Sequence, residues 1–78
     1  MSYEIIWSPK AAKYLESLPL EISKRILQKF DKVAEEPFRY LEHFEGSGYK
    51  LRIGEYHAII DVDFEKMILR VRIFDMRG

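Results

Sequence analysis

The sequence contains no cysteine, which excludes disulfides, thiolate metal ligands and a cysteine nucleophile. Neither charge is in surplus: 13 Lys plus Arg face 13 Asp plus Glu, for a formal net charge of zero. A nucleic-acid binder with this balance lacks the long-range pull of a strongly basic surface and must rely on a local cluster of cations. No apolar run approaches the roughly 18 residues of a membrane span, and the N-terminus lacks the charged-then-apolar layout of a signal peptide. The expected location is the cytoplasm, with no membrane partner. The only imidazoles are His43 and His57. Their spacing resembles no zinc site, and Glu42, Glu45 and Asp61 could join them only by assuming geometry, so no metal and no cofactor are expected. Ser8, Ser17, Ser23 and Ser47 fit caps, turns or surface positions, and Gly46-Ser-Gly48 is too short for a phosphate loop. At 78 residues the chain is expected to be one domain, residues 1–78. A core of that size contributes only about 3–5 kcal/mol of net stability, which leaves room for a stabilising partner.

The last third carries the clearest pattern. Successive side chains of a strand point to opposite faces. On that rule Tyr49, Leu51 and Ile53 share one side of a strand, with Lys50 and Arg52 on the other. Gly54-Glu55 marks a tight turn. In the next strand Ala58, Ile60 and Val62 lie opposite His57, Ile59 and Asp61. After the polar turn Asp63-Phe-Glu-Lys66, the last strand places Leu69, Val71 and Ile73 inward and Arg70 and Arg72 outward. Matching registers then gather Lys50, Arg52, His57, Arg70 and Arg72 on one face, with Asp61 the single acidic residue placed there. The same residues also fit the ordinary wet face of an antiparallel sheet.

Upstream, Tyr3-Glu-Ile-Ile-Trp7 is short, β-branched and aromatic, as a strand requires. Ser8-Pro9 pairs an N-cap with proline at the first helical position. Ala11 or Ala12, Leu15 and Leu18 recur at helical spacing up to Pro19. A second helix after Pro19 carries Ile22, Ile26, Phe30 and Val33, its stripe widened by Leu27 and Ala34. Its other side holds Lys24, Arg25, Gln28, Lys29 and Lys32, a solvated face or an additional contact for nucleic acid, and Pro37 closes it. The run Phe38 to Phe44 is too apolar for a linker and reads as an ordered loop or short turn pinned by Phe38, Leu41 and Phe44. The expected fold is α+β: an N-terminal strand, a two-helix hairpin and an antiparallel three-stranded meander, with the helices packed on one sheet face.

This order, with particular words of sequence, resembles the RelE/ParE superfamily of toxin–antitoxin toxins, in its RelE-like branch. The words are Glu36-Pro37-Phe38-Arg39-Tyr40, the spacer Leu41 to Gly48 that looks like the family's Leu-x-Gly-x-x-Gly approach, and Tyr49-Lys-Leu-Arg-Ile-Gly-Glu-Tyr56. Asp61-Val-Asp63 and Arg77-Gly78 fit as well, so nearly the whole chain is covered. The resemblance implies a β-α-α-β-β-β toxin of a type II system, neutralised by a cognate RelB-like antitoxin through which it oligomerises. It further implies endonucleolytic cleavage of messenger RNA on the ribosome without a metal, the RNA's own 2′-hydroxyl attacking the adjacent phosphate. That chemistry needs cations around the phosphorane, a proton acceptor, a proton donor and a group that holds the base splayed.

Carried over position by position, Lys50 and Arg52 match the paired basic residues of the first meander strand. His57 stands where the family usually has arginine, and Arg77 matches the basic residue ending the last strand. Family members often continue from there to a tyrosine. The sequence ends at Gly78, and on the resemblance that tyrosine's stacking or proton-handling role has no occupant. The implied catalytic set is Lys50, Arg52, His57 and Arg77, with Arg70, Arg72, Lys29 and Lys32 as RNA contacts. Arg52 and Arg77 would stabilise phosphate charge, since a guanidinium is a poor base. Lys50 or His57 would move protons, imidazole having an intrinsic pKa of about 6.5.

Two further function classes fit the same resemblance. One is a ParE-like toxin that inhibits DNA gyrase, and the other is a catalytically impaired or truncated module that only binds an antitoxin. An antitoxin could add a strand to a free sheet edge or dock a helix in an apolar groove. Tyr56, Ile59, Ile68 and Phe74 are the candidate apolar contacts, Tyr56 fitting the core equally well.

Overall fold

A computed structural model describes residues 2–76. The chain runs β1 (Glu4–Trp7), α1 (Pro9–Glu16), α2 (Leu20–Glu35), the single turn α3 (Pro37–Tyr40), β2 (Glu42–Glu45), β3 (Gly48–Ile53), β4 (Tyr56–Asp63) and β5 (Ile68–Met76). The strands form one sheet in the order β1-β5-β4-β3-β2. Neighbours from β2 to β5 are antiparallel, and β1 lies parallel to the first half of β5, Glu4 to Trp7 facing Ile68 to Val71. The fold is thus the expected α+β arrangement, with one strand more than the expected meander.

Local sequence explains the helix boundaries. Ser8 caps α1, its Oγ accepting from the Ala11 N–H at 3.1 Å, with Pro9 in the first turn. The same hydroxyl donates to the Arg72 carbonyl at 2.8 Å, so one side chain fastens the helix start to β5. Ser8→Ala is therefore expected to cost about 1–2 kcal/mol, somewhat above an ordinary cap. Urea unfolding checks this: the midpoint should fall with an unchanged slope. Pro37 limits α2, because the residue before a proline is pushed out of helical geometry, and Glu36 has φ −137° and ψ 71°.

Both helices cover one sheet face. Ala11 and Leu15 from α1 and Ile26, Phe30 and Val33 from α2 meet Leu51, Ala58, Ile60, Val62, Leu69, Val71 and Phe74 from the sheet in one cluster. Trp7 bridges the layers, its ring 4.7 Å from Phe30 and 5.6 Å from Phe74. The Gly54-Glu55 turn is present, with Gly54 at φ +58°, a left-handed conformation that favours glycine.

Three details differ from the sequence expectation. Residues 38–40 form the expected short turn as part of α3, but residues 42–44 belong to strand β2 rather than a loop, and only Leu41 of the three supposed pins is buried. Phe38, 50% exposed, stacks on Phe64 at 5.6 Å instead. Strand β2 was not legible because all four of its residues are exposed, leaving no apolar alternation to read. Leu27 is also exposed, so the α2 stripe is narrower than expected.

The third difference is a β-bulge. Ile59 faces Ile73 while the next residue, Ile60, faces Val71, which leaves Arg72 as the extra residue of β5. Alternation therefore shifts by one. Ile73, expected inside, is 38% exposed, and Phe74, expected as an exposed antitoxin contact, is 2% exposed in the core. Tyr56 takes its core alternative, stacked against Phe74 at 5.7 Å.

Candidate nucleic-acid interface

The sheet face away from the helices carries the cations, and the strand register sorts them into rows. Arg52, His57 and Asp75 stand side by side across β3, β4 and β5. Glu42, Lys50, Ile59 and Ile73 form the next row, and Gly48, Asp61 and Arg70 the one beyond. Two rows open into a cleft of about 460 Å³ lined by Lys50, Arg52, His57, Ile59, Tyr40, Glu42 and Phe44. Its wall combines cations with aromatic rings, and Lys50 Nζ lies 5.5 Å from the centre of the Phe44 ring.

Lys50, Arg52 and His57 thus share one cleft, and the other expected site residues lie elsewhere. Arg72 is on the same sheet face, but its Nε meets Asp61 Oδ2 at 2.8 Å, so a carboxylate already answers its charge. Arg70 lines a separate hollow with Ser47, Asp61, Asp63, Phe64 and Glu65. Lys29 belongs to the helix layer and reaches the rim only through Tyr40, over whose ring its Nζ sits at 4.3 Å. Lys32 lies in the last turn of α2, exposed and outside the cleft lining. Arg77 falls outside the described residues.

Strict alternation puts Asp61 alone among acidic residues on this face, and the sheet puts more there. The bulge turns Asp75 outward beside His57, where Oδ1 is 3.4 Å from Nε2. That is within reach of an ion pair and beyond the usual 2.7–3.2 Å of a formed hydrogen bond. Among the described residues, His57 Nδ1 and Asp75 Oδ1 are the buried side-chain atoms without a hydrogen-bond partner. Glu42 arrives at the cleft on β2, opposite Lys50. Asp75 was hidden by the bulge, and Glu42 and Phe44 by a strand without apolar alternation. Tyr40 had a signal, the Pro37-Phe-Arg-Tyr word, though its place at the rim depends on the α3 turn.

Chemically, a hollow lined by a guanidinium, an ammonium and an imidazole together with phenyl and phenol rings suits an anion that carries a flat ring. A nucleotide phosphodiester has both parts.

Solved toxin–antitoxin structures share this fold. The RelBE2 complex from Mycobacterium tuberculosis is similar with a TM-score of 0.87 and 21% identity, over 99% of this chain and 100% of that one. The archaeal RelE–RelB complex from Pyrococcus horikoshii OT3 gives 0.85 and 26%, over 100% and 98%. Isolated RelE toxin from E. coli gives 0.82 and 18%, over 99% and 86%. No curated protein sequence matches the chain. A family model described as the ParE toxin of the type II toxin–antitoxin system parDE matches residues 5–77. The chain therefore belongs to the ParE toxin family of type II toxin–antitoxin systems, within the RelE/ParE superfamily.

Proposed function

We propose that this toxin cuts messenger RNA on the ribosome, holding the scissile phosphate in the cleft of the open sheet face. The observation that carries this reading is the convergence of Lys50, Arg52 and His57 on one cleft with aromatic walls. In the reaction the 2′-oxygen attacks the neighbouring phosphorus and loses its proton to a base. The bond from phosphorus to the 5′-oxygen breaks, and that oxygen takes a proton from an acid. Products are a 2′,3′-cyclic phosphate and a 5′-hydroxyl. Arg52 holds the charge of the phosphorane, and Lys50 and His57 stand on the same wall for the proton transfers. Phe44 and Tyr40 offer faces for a splayed base. Arg77, which the resemblance matches to a basic residue of the family, is proposed as a further phosphate contact, with Arg70 guiding the flanking strand and Arg72 joining it only when released from Asp61.

The proposed partner in neutralisation is a RelB-like antitoxin, by similarity to the solved RelE–RelB complexes. Exposed Ile73 and Met76 on β5, past the stretch paired with β1, offer apolar area for such a chain. The expected site of action is the cytoplasm.

A second reading, inhibition of DNA gyrase, is favoured by the parDE description of the matching family model and by the carboxylates that thin the cationic face. Expression in growing cells separates the two. Messenger RNA cut within codons, with cyclic-phosphate ends made only by translating ribosomes, supports the nuclease. Growth arrest with intact messages and accumulating DNA breaks would replace it with the gyrase reading. Absence of any toxicity would leave an antitoxin-binding module.

The Arg72–Asp61 pair yields a sharper test. Asp61→Asn frees Arg72 for phosphate, so RNA should bind more tightly and its logarithmic salt dependence should steepen by about 0.7. Fold stability should change by less than about 1 kcal/mol, as for other solvent-exposed ion pairs. Fluorescence anisotropy with a labelled oligoribonucleotide at several salt concentrations, beside a melting curve, measures both.

A further inference from the structure

Asp75 has no part in the reaction as described, yet the fold places it on the cleft's own row. We propose that Asp75 is the positioning residue of His57: its carboxylate receives the Nε2 proton of the imidazole, fixing the ring's orientation and tautomer at the cleft wall. The inference rests on the nuclease reading for its consequence, and on geometry for the pairing itself.

Three observations carry it. His57 and Asp75 are direct partners across β4 and β5, with Nε2 and Oδ1 at 3.4 Å. Asp75 Oδ1 and His57 Nδ1 are both buried without a hydrogen bond, and unsatisfied buried atoms are scarce enough in folded proteins to need a reason. A shortening of about half an ångström between the two side chains would satisfy the carboxylate oxygen. Finally, the juxtaposition depends on the bulge at Arg72. Without that extra residue Asp75 would alternate to the helix side, and bulges are known devices for re-aiming a side chain beside a site.

The surroundings assign the charges. From β3, Arg52 flanks His57 on the side opposite Asp75. Beyond His57, Lys10 and Lys13 of α1 border a hollow that Asp75 also lines. His57 thus stands between a guanidinium and a carboxylate, and only the carboxylate can accept a ring proton. With Nε2–H so held, the ring cannot swing freely, and its orientation at the cleft wall is fixed.

The pairing is tested by proton NMR of the intact chain. A downfield ring N–H resonance, absent from His57→Ala and slowed in solvent exchange, is expected in the wild type. It should vanish in Asp75→Ala and move upfield in the near-isosteric Asp75→Asn, which guards against a folding defect. In the RNA-cleavage assay both variants should lose about tenfold or more in kcat with KM changed less than about twofold. The proposal is overturned if the resonance is missing from the wild type or unchanged in both variants. It is equally overturned if both variants keep full kcat while His57→Ala abolishes cleavage. Should the wild type cut no RNA at all, the nuclease reading fails by itself, and the resonance still decides whether Asp75 holds the ring.

Discussion

Arg52→Ala is expected to lower RNA cleavage by about 10²–10³-fold while leaving the fold intact. A preorganised donor aimed at charge that develops in the transition state is commonly worth that much. Arg52 sits in mid-strand on the open face, exposed, and takes no part in the buried cluster. Its loss therefore removes charge at the cleft without opening a cavity, and thermal unfolding should shift by no more than a surface substitution allows, about 0.5 kcal/mol. Arg52→Lys should recover only part of the rate, because an ammonium cannot present the planar fork that grips two phosphate oxygens. Lys50→Ala should be comparably damaging, and the double variant less than additive, since both groups serve one phosphorane. The measurement is single-turnover cleavage of a message on translating ribosomes. Wild-type rates in both single variants would remove the cleft from the chemistry.

The second large effect concerns stability and separates two neighbours. Phe74 is buried and meets Trp7, Tyr14, Phe30 and Tyr56 with ring centres 5.6 to 6.4 Å apart. Phe74→Ala deletes the ring at the centre of that cluster and should cost about 3–5 kcal/mol. A chain of 78 residues has about that much in total, so the variant should be largely unfolded alone and recover structure only with a bound partner. Ile73→Ala, one position earlier, removes an exposed side chain and should cost less than about 1 kcal/mol. Strict alternation through β5 would reverse the two results. Denaturation of the pair therefore reads the bulge directly, without a structure determination.

The sequence disclosed a feature wherever one local rule governed it. Ser8-Pro9 marked the start of α1, Gly54-Glu55 the hairpin, and the alternation of Tyr49 to Ile53 and of His57 to Val62 fixed which side each residue faces. Lys50, Arg52 and His57 could be grouped because β3 and β4 pair without interruption. The rest depended on geometry that has no residue signature. The extra residue at Arg72 carries no glycine or proline to announce it, so Ile73 and Phe74 were assigned to the wrong face and Asp75 was left unplaced. Strand β2 pairs through its backbone and presents Glu42, His43 and Phe44 to solvent, so hydrophobic periodicity was silent there. Charge pairing is likewise a matter of side-chain placement: nothing in the order of residues couples Arg72 to Asp61.

Trp7 is the only indole in the sequence and touches rings from both the helix layer and the sheet. Its intrinsic emission is consequently a built-in optical gauge of whether the two layers are joined. Unfolding should redden that signal, and an antitoxin that tightens the sandwich should delay the reddening to higher denaturant, so neutralisation can be followed in solution with no dye attached.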